Sequence, residues 1–299
     1  MLTGLDPILV AQMAVGAVAD IAFAIALGAT LLGFGAASRG LTMRTSLLVW
    51  LVAQLGYLVL QASSMSGEPL SAAGSAIGAV LIQSHFGRMW TLGIGAGALA
   101  TLLALFAERG QPVVRAWGSV VRIVLLSLFF VMAFAHAGAT HAADAGDFSV
   151  AEWTHAVHLW MTGAWAGVVI SSAWPMRRVF RPWSTQTLQD LRQLSLMATL
   201  TFLFAIATGL ANAWRGLGGS FVPLKTSLWG ELLAAKLVVV GVVVLIGAVN
   251  RLAHLAHRRA IDRTTLRVFM RLLSAEAVLM VGVLIAASVL GHCMPAALG

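Results

Sequence analysis

The sequence predicts an all-α, polytopic membrane protein of eight transmembrane helices. Three observations predict it. Apolar residues fill 60% of the 299 positions and charged residues only 10%, against about 25% charged in an ordinary soluble domain. Eight apolar stretches are long enough to span, at ~20 residues per crossing. The basic residues fall in short clusters between these stretches, mostly in alternate connecting segments.

The stretches run over roughly 9–37, 45–65, 87–107, 117–139, 151–174, 193–213, 228–252 and 270–292. Gly, Pro, Ser or charged residues bound each one. Helices are expected, because unpaired backbone groups in hydrocarbon are too costly. The first connection holds Arg39 and Arg44, and the third holds Arg109 and Arg115, with Arg122 just inside the next helix. The fifth holds Arg177, Arg178, Arg181 and Arg192, and the seventh Arg251, Arg258, Arg259, Arg263, Arg267 and Arg271. Together these are 15 of the 19 Lys and Arg residues. The even connections hold only Arg88, Arg215 and Lys225, beside Glu68, Asp144, Asp147 and Glu152. The positive-inside rule then places the odd connections in the cytoplasm and both termini in the periplasm. The net charge of +8 is thus a topology signal, and no nucleic-acid partner is expected. No basic residue precedes Arg39, so the start does not read as a cleaved signal peptide, and the first helix is expected to stay. The domain reading is one membrane domain over 1–299, with a first four-helix half over 1–145 and a second over 150–296. Lipid is the surrounding partner.

The eight histidines divide unevenly on this topology. His85 opens the third helix, His136 and His141 lie at the end of the fourth, His155 and His158 open the fifth, and His292 closes the eighth, all on the outer side. Only His254 and His257 fall on the inner side, among Arg251, Arg258 and Arg259, where a cationic surface disfavours a metal ion. Soft donors share the outer face: Met65, Met89, Met132, Met161, and the consecutive His292-Cys293-Met294. Imidazole, thioether and thiolate together suit copper, Cu(I) above Cu(II); zinc remains chemically open. His155 and His158 are the leading pair, since their i, i+3 spacing puts both on one helix face. His136 follows. The bland alternatives are interfacial packing for His85 and His141 and a frayed tail for His292-Cys293-Met294.

Charges inside the membrane are costly and mark pathways or internal pairs. Asp20, Glu231, Lys236 and Glu276 are the four buried charges expected here, read equally well as a relay or as structural pairs. Asn250-Arg251 is expected to cap and anchor the seventh helix. The glycines of helices one (Gly28, Gly33, Gly35) and three (Gly93, Gly95, Gly97) read as close helix packing. No phosphate-binding or hydrolase motif stands out, so neither an ATP-driven pump nor an enzyme is expected.

Four patterns resemble the copper resistance protein D (CopD) family of bacterial inner-membrane proteins. The fifth helix reads His158-Leu-Trp-Met-Thr-Gly-Ala-Trp165-Ala-Gly167, and the sixth carries Thr208-Gly209 near its end. The seventh reads Trp229-Gly-Glu231-Leu-Leu-Ala-Ala-Lys236 and runs to Asn250-Arg251. The eighth carries Glu276 and ends near Pro295. The resemblance covers roughly 150–296 well and the first four helices only by count and topology. It implies copper uptake from periplasm to cytoplasm, and a separate periplasmic copper-binding partner of the CopC type. Two rivals stand beside it: a di-haem b-type cytochrome, disfavoured by the lone inner histidine pair, and a non-transporting copper-binding sensor.

Overall fold

A computed structural model describes residues 6–32, 36–108, 118–255 and 261–297. His257, Arg258, Arg259, Arg109, Arg115, Gly33 and Gly35 lie outside the described residues. Among the described residues eight helices are long and apolar enough to cross a membrane. They are α1 (Pro7–Leu31), α2 (Ala36–Ser66), α3 (His85–Glu108), α4 (Gly118–Gly138), α5 (Val150–Ala173), α6 (Thr185–Gly216), α7 (Leu228–His254) and α8 (Arg263–Gly291). No strand occurs among the described residues. The connection between α2 and α3 holds a short helix, Ile77–Gln83.

Several helices outrun the apolar stretches that announce them. The first is an exception: it ends at Leu31, where Leu32 turns extended, so the expected end at 37 belongs partly to α2. The sixth begins at Thr185 rather than near 193, because Ser184 caps it by accepting from the Thr187 N–H. The eighth begins at Arg263 rather than near 270, with Asp262 accepting from the Thr265 N–H. Apolar runs mark only the part of a helix that meets hydrocarbon, whereas capping side chains set its start.

Helix α5 is the axis of the bundle. In its most apolar window 67% of residues are buried, against 11% in α6 and in α7. It packs on α1, α4, α6 and α8. Its crossing with α1 is a backbone contact: a Cβ on Gly28 would stand 2.0 Å from the Gly167 carbonyl carbon. Two buried clusters meet along this pair. One joins α1, α2, α3 and α4 around Leu47, Trp50 and Phe129, and includes Ala164 of α5. The other joins α5, α6 and α8 around Ile170, Leu191 and Met280, with Ala24 of α1 and Val243 of α7. Exposed apolar side chains on α2, α6 and α7, mostly Leu and Val, cover the outside and match lipid. Gly16 of α1 lies against Ser288 of α8 and His292 at its end, so the start of α1 and the end of α8 lie on one face of the bundle. That face, expected to be periplasmic, is called the outer face below.

Candidate copper site at the outer face

The site starts from how α5 begins. Ser149 accepts from the Glu152 N–H at 3.2 Å, and the Glu152 carboxylate accepts from the Phe148 N–H. This is a variant of the capping box. It changes the place of Glu152, expected in an outer loop: the side chain is 1% exposed, packed beneath Gly138. The cap fixes the register of His155 and His158, one and two turns further on.

His158 is seated in α6. Its Nδ1 donates to the Ala205 carbonyl at 3.0 Å, with the Thr208 hydroxyl at 3.3 Å. Gly209 is flat against the ring, and a Cβ there would stand 2.8 Å from Cε1. Thr208-Gly209 thus lies within α6, two turns before its end, and forms a cradle for an imidazole. A carbonyl only accepts, so Nδ1 carries a proton, and in the neutral ring Nε2 keeps its lone pair. His155 lies with its ring centroid 6.3 Å from that of His158. Its Nδ1 is 3.3 Å from the Asn212 amide of α6.

Other groups gather around this pair. His136 Nδ1 of α4 is 3.8 Å from the Asp20 carboxylate of α1. Asp20 is within electrostatic reach of His136, His292 and Lys236, and His155 within reach of His158, His136, Arg215 and Lys236. Groups from five helices and from the end of α8 therefore share one electrostatic neighbourhood. Sequence reasoning placed His136, His155 and His158 on one face but not Asp20, which is thirteen residues inside α1. Helix α1 stands far enough outward for Asp20 to meet the end of α4. Asn212 had no signal in the sequence, and Thr208-Gly209 stood out only as part of the family pattern, because these residues act on the ring rather than on a ligand.

The remaining candidates make other contacts or lie elsewhere. Both ring nitrogens of His292 are engaged: Nδ1 donates to the Ser288 carbonyl at 2.7 Å, and Nε2 accepts from the Tyr57 hydroxyl at 3.0 Å. His292 is thereby a brace between α8 and α2, not a frayed end. Cys293 and Met294 line a separate open cleft with Ser227 and Trp229. Burial pushes the Cys293 thiol up, away from the thiolate that a metal prefers. Met294 and Met65 are exposed, and Met161 is half-buried. His85 Nε2 donates to the Gly138 carbonyl at 2.9 Å, and His141 Nδ1 lies 3.1 Å from Asp144 in an exposed turn. Among the described residues no group of three or more His, Cys, Asp or Glu is arranged to hold a metal ion.

The buried charges also sort themselves. Glu231 is exposed in the first turn of α7, where a carboxylate favours the helix dipole. Lys236 has Asp20 as its electrostatic partner. Asn250 is no cap, since α7 continues to His254; its Nδ2 donates to the Phe269 carbonyl at 3.1 Å and ties α7 to α8.

Two family models match the chain in succession. Copper resistance protein D-like, N-terminal domain, matches residues 5–150, and Copper resistance protein D matches residues 188–290. The chain belongs to the copper resistance protein D family. The first half thus carries a family match of its own, beyond the helix count and topology read from its sequence. Inner membrane protein YebZ of Escherichia coli (strain K12) is 26% identical over 218 residues, 72% of this chain and 71% of that protein. No solved structure matches. This member of the copper resistance protein D family is a copper-related, multi-pass protein of the inner membrane.

Proposed function

We propose that the chain is a copper permease rather than an enzyme, moving Cu(I) from the periplasm to the cytoplasm. The observation that carries this reading is the fixed Nδ1 proton of His158. A ring held through one nitrogen by a backbone carbonyl presents the other as a metal donor, which is the usual arrangement behind a ligating histidine. His155 sits one turn earlier, close enough for both rings to meet one ion. Two neutral imidazoles suit a soft, low-coordinate Cu(I) better than a hard cation. Lys236 lies within electrostatic reach of both rings. Its charge keeps the site weak, and a site that conducts must release its ion. His136 and Asp20 are the next groups met. A separate periplasmic carrier of the CopC type is the proposed donor of the ion. The test is copper accumulation in cells expressing the His155→Ala, His158→Ala double variant at wild-type levels. Uptake is expected to fall to that of cells without the protein; undiminished uptake overturns the reading.

A further inference from the structure

The inner half of the bundle holds a polar group that the outer site does not use. Glu276 of α8 is 6% exposed and faces α7. Its carboxylate rests on Gly247, where a Cβ would stand 3.1 Å from Oε1. Among the described residues no hydrogen-bond donor or cation pairs with it. One turn further along the same face of α7, Asn250 is 3% exposed. Its amide nitrogen is spent on Phe269, and its Oδ1 has no partner. Two acceptors thus sit against successive turns of α7, at Gly247 and at Asn250.

The charged groups around this interface leave it uncompensated. On α7, Arg251 bonds the Thr199 hydroxyl of α6, and the His254 ring bonds the Asn250 carbonyl. On α8 itself, Arg271 is exposed. The inner halves of α1 (21–31) and α5 (159–173), which also pack on α8, carry no titratable side chain.

We propose that Glu276 is a membrane-embedded proton-binding site, and that its proton leaves the cytoplasmic side in exchange for each incoming Cu(I). An unpaired carboxylate in this setting is strongly disfavoured. A proton removes that cost and turns one acceptor at the interface into a donor. Gly247 makes the room, since an added Cβ would press the carboxyl aside by a few tenths of an ångström. One positive charge enters and one leaves, so the exchange is electroneutral. The proton site stands on the geometry alone; the exchange rests on the permease reading.

The full-length protein is treated with dicyclohexylcarbodiimide, which modifies protonated carboxyls within lipid, and the adduct is mapped by mass spectrometry. Glu276 is expected to carry it, with labelling falling as the pH is raised. Glu276→Gln is expected to abolish it, and Glu231→Gln to leave it unchanged. An unmodified Glu276 overturns the proton site. In proteoliposomes with a trapped pH dye, copper uptake is expected to drive a proton signal that Glu276→Gln reduces at least tenfold. Copper uptake without a proton signal overturns the exchange. Absence of uptake in the wild type overturns the permease reading and the exchange, while the adduct still decides the proton site.

Discussion

Gly209 shows how one absent methyl group sets the chemistry of a residue on another helix. The His158 ring lies on it, held between the glycine face and the Ala205 carbonyl. Gly209→Ala forces the ring to tilt and breaks its alignment with that carbonyl. Copper affinity is expected to fall by about tenfold to a hundredfold, as for other losses behind a ligating histidine, with thermal stability nearly unchanged. Isothermal titration with Cu(I) under reducing conditions measures it; wild-type affinity argues that His158 is not a ligand. The Tyr57–His292 hydrogen bond is a different case. Tyr57→Phe removes one donor in a half-buried brace, so a loss of ~1 kcal/mol in stability is expected, with copper uptake retained. A uptake defect as large as that of the histidine double variant returns His292 to the site.

At the scale of elements, α5 carries both the fold and the site. Its inner half crosses α1 by backbone contact at Gly28 and Gly167. Overpacking a close-packed interior typically costs 1–3 kcal/mol, and here the obstruction is backbone that cannot swing away. Gly167→Val is therefore expected to cost about 3 kcal/mol or more and to appear as lost folded protein in detergent-resistance or thermal-aggregation assays. A stable Gly167→Val protein contradicts the crossing. The outer end of α5 depends on a cap instead. Ser149→Ala is expected to cost ~1 kcal/mol and to loosen His155 without removing the fold. The fifth helix was legible as a span and as the holder of a histidine pair. That it is the most buried helix was not, because its apolar content is lower than that of α7, and small residues pack without a strong hydrophobic signal.

For the whole molecule, the arginine asymmetry predicts that the outer face is periplasmic. The single cysteine tests this without engineering. A membrane-impermeant maleimide added to spheroplasts is expected to label Cys293, and Cys293→Ser to abolish the signal. Labelling only after permeabilisation reverses the orientation. The same reaction reports on the cleft. Burial holds the thiol protonated above the usual thiol range, and only the thiolate reacts, so labelling is slow at pH 7 and accelerates as the pH rises through the raised value. A rate already maximal at pH 7 contradicts that burial.

Eight crossings, their order and their expected orientation followed from local chemistry: run length against bilayer thickness, and the placement of arginines between runs. The histidine pair of α5 followed from i, i+3 spacing, which is also local. Which of the other histidines meet that pair was decided only in the tertiary structure. His136 joins it because α1 brings Asp20 to the end of α4, whereas His292 is closed off by Tyr57, 235 residues away in the chain. Glu231 and Glu276 were alike in sequence as intramembrane acids. One faces outward in a first helical turn and the other is buried against Gly247. Helix periodicity gives a side chain its face, but only the packing of neighbouring helices determines what that face meets.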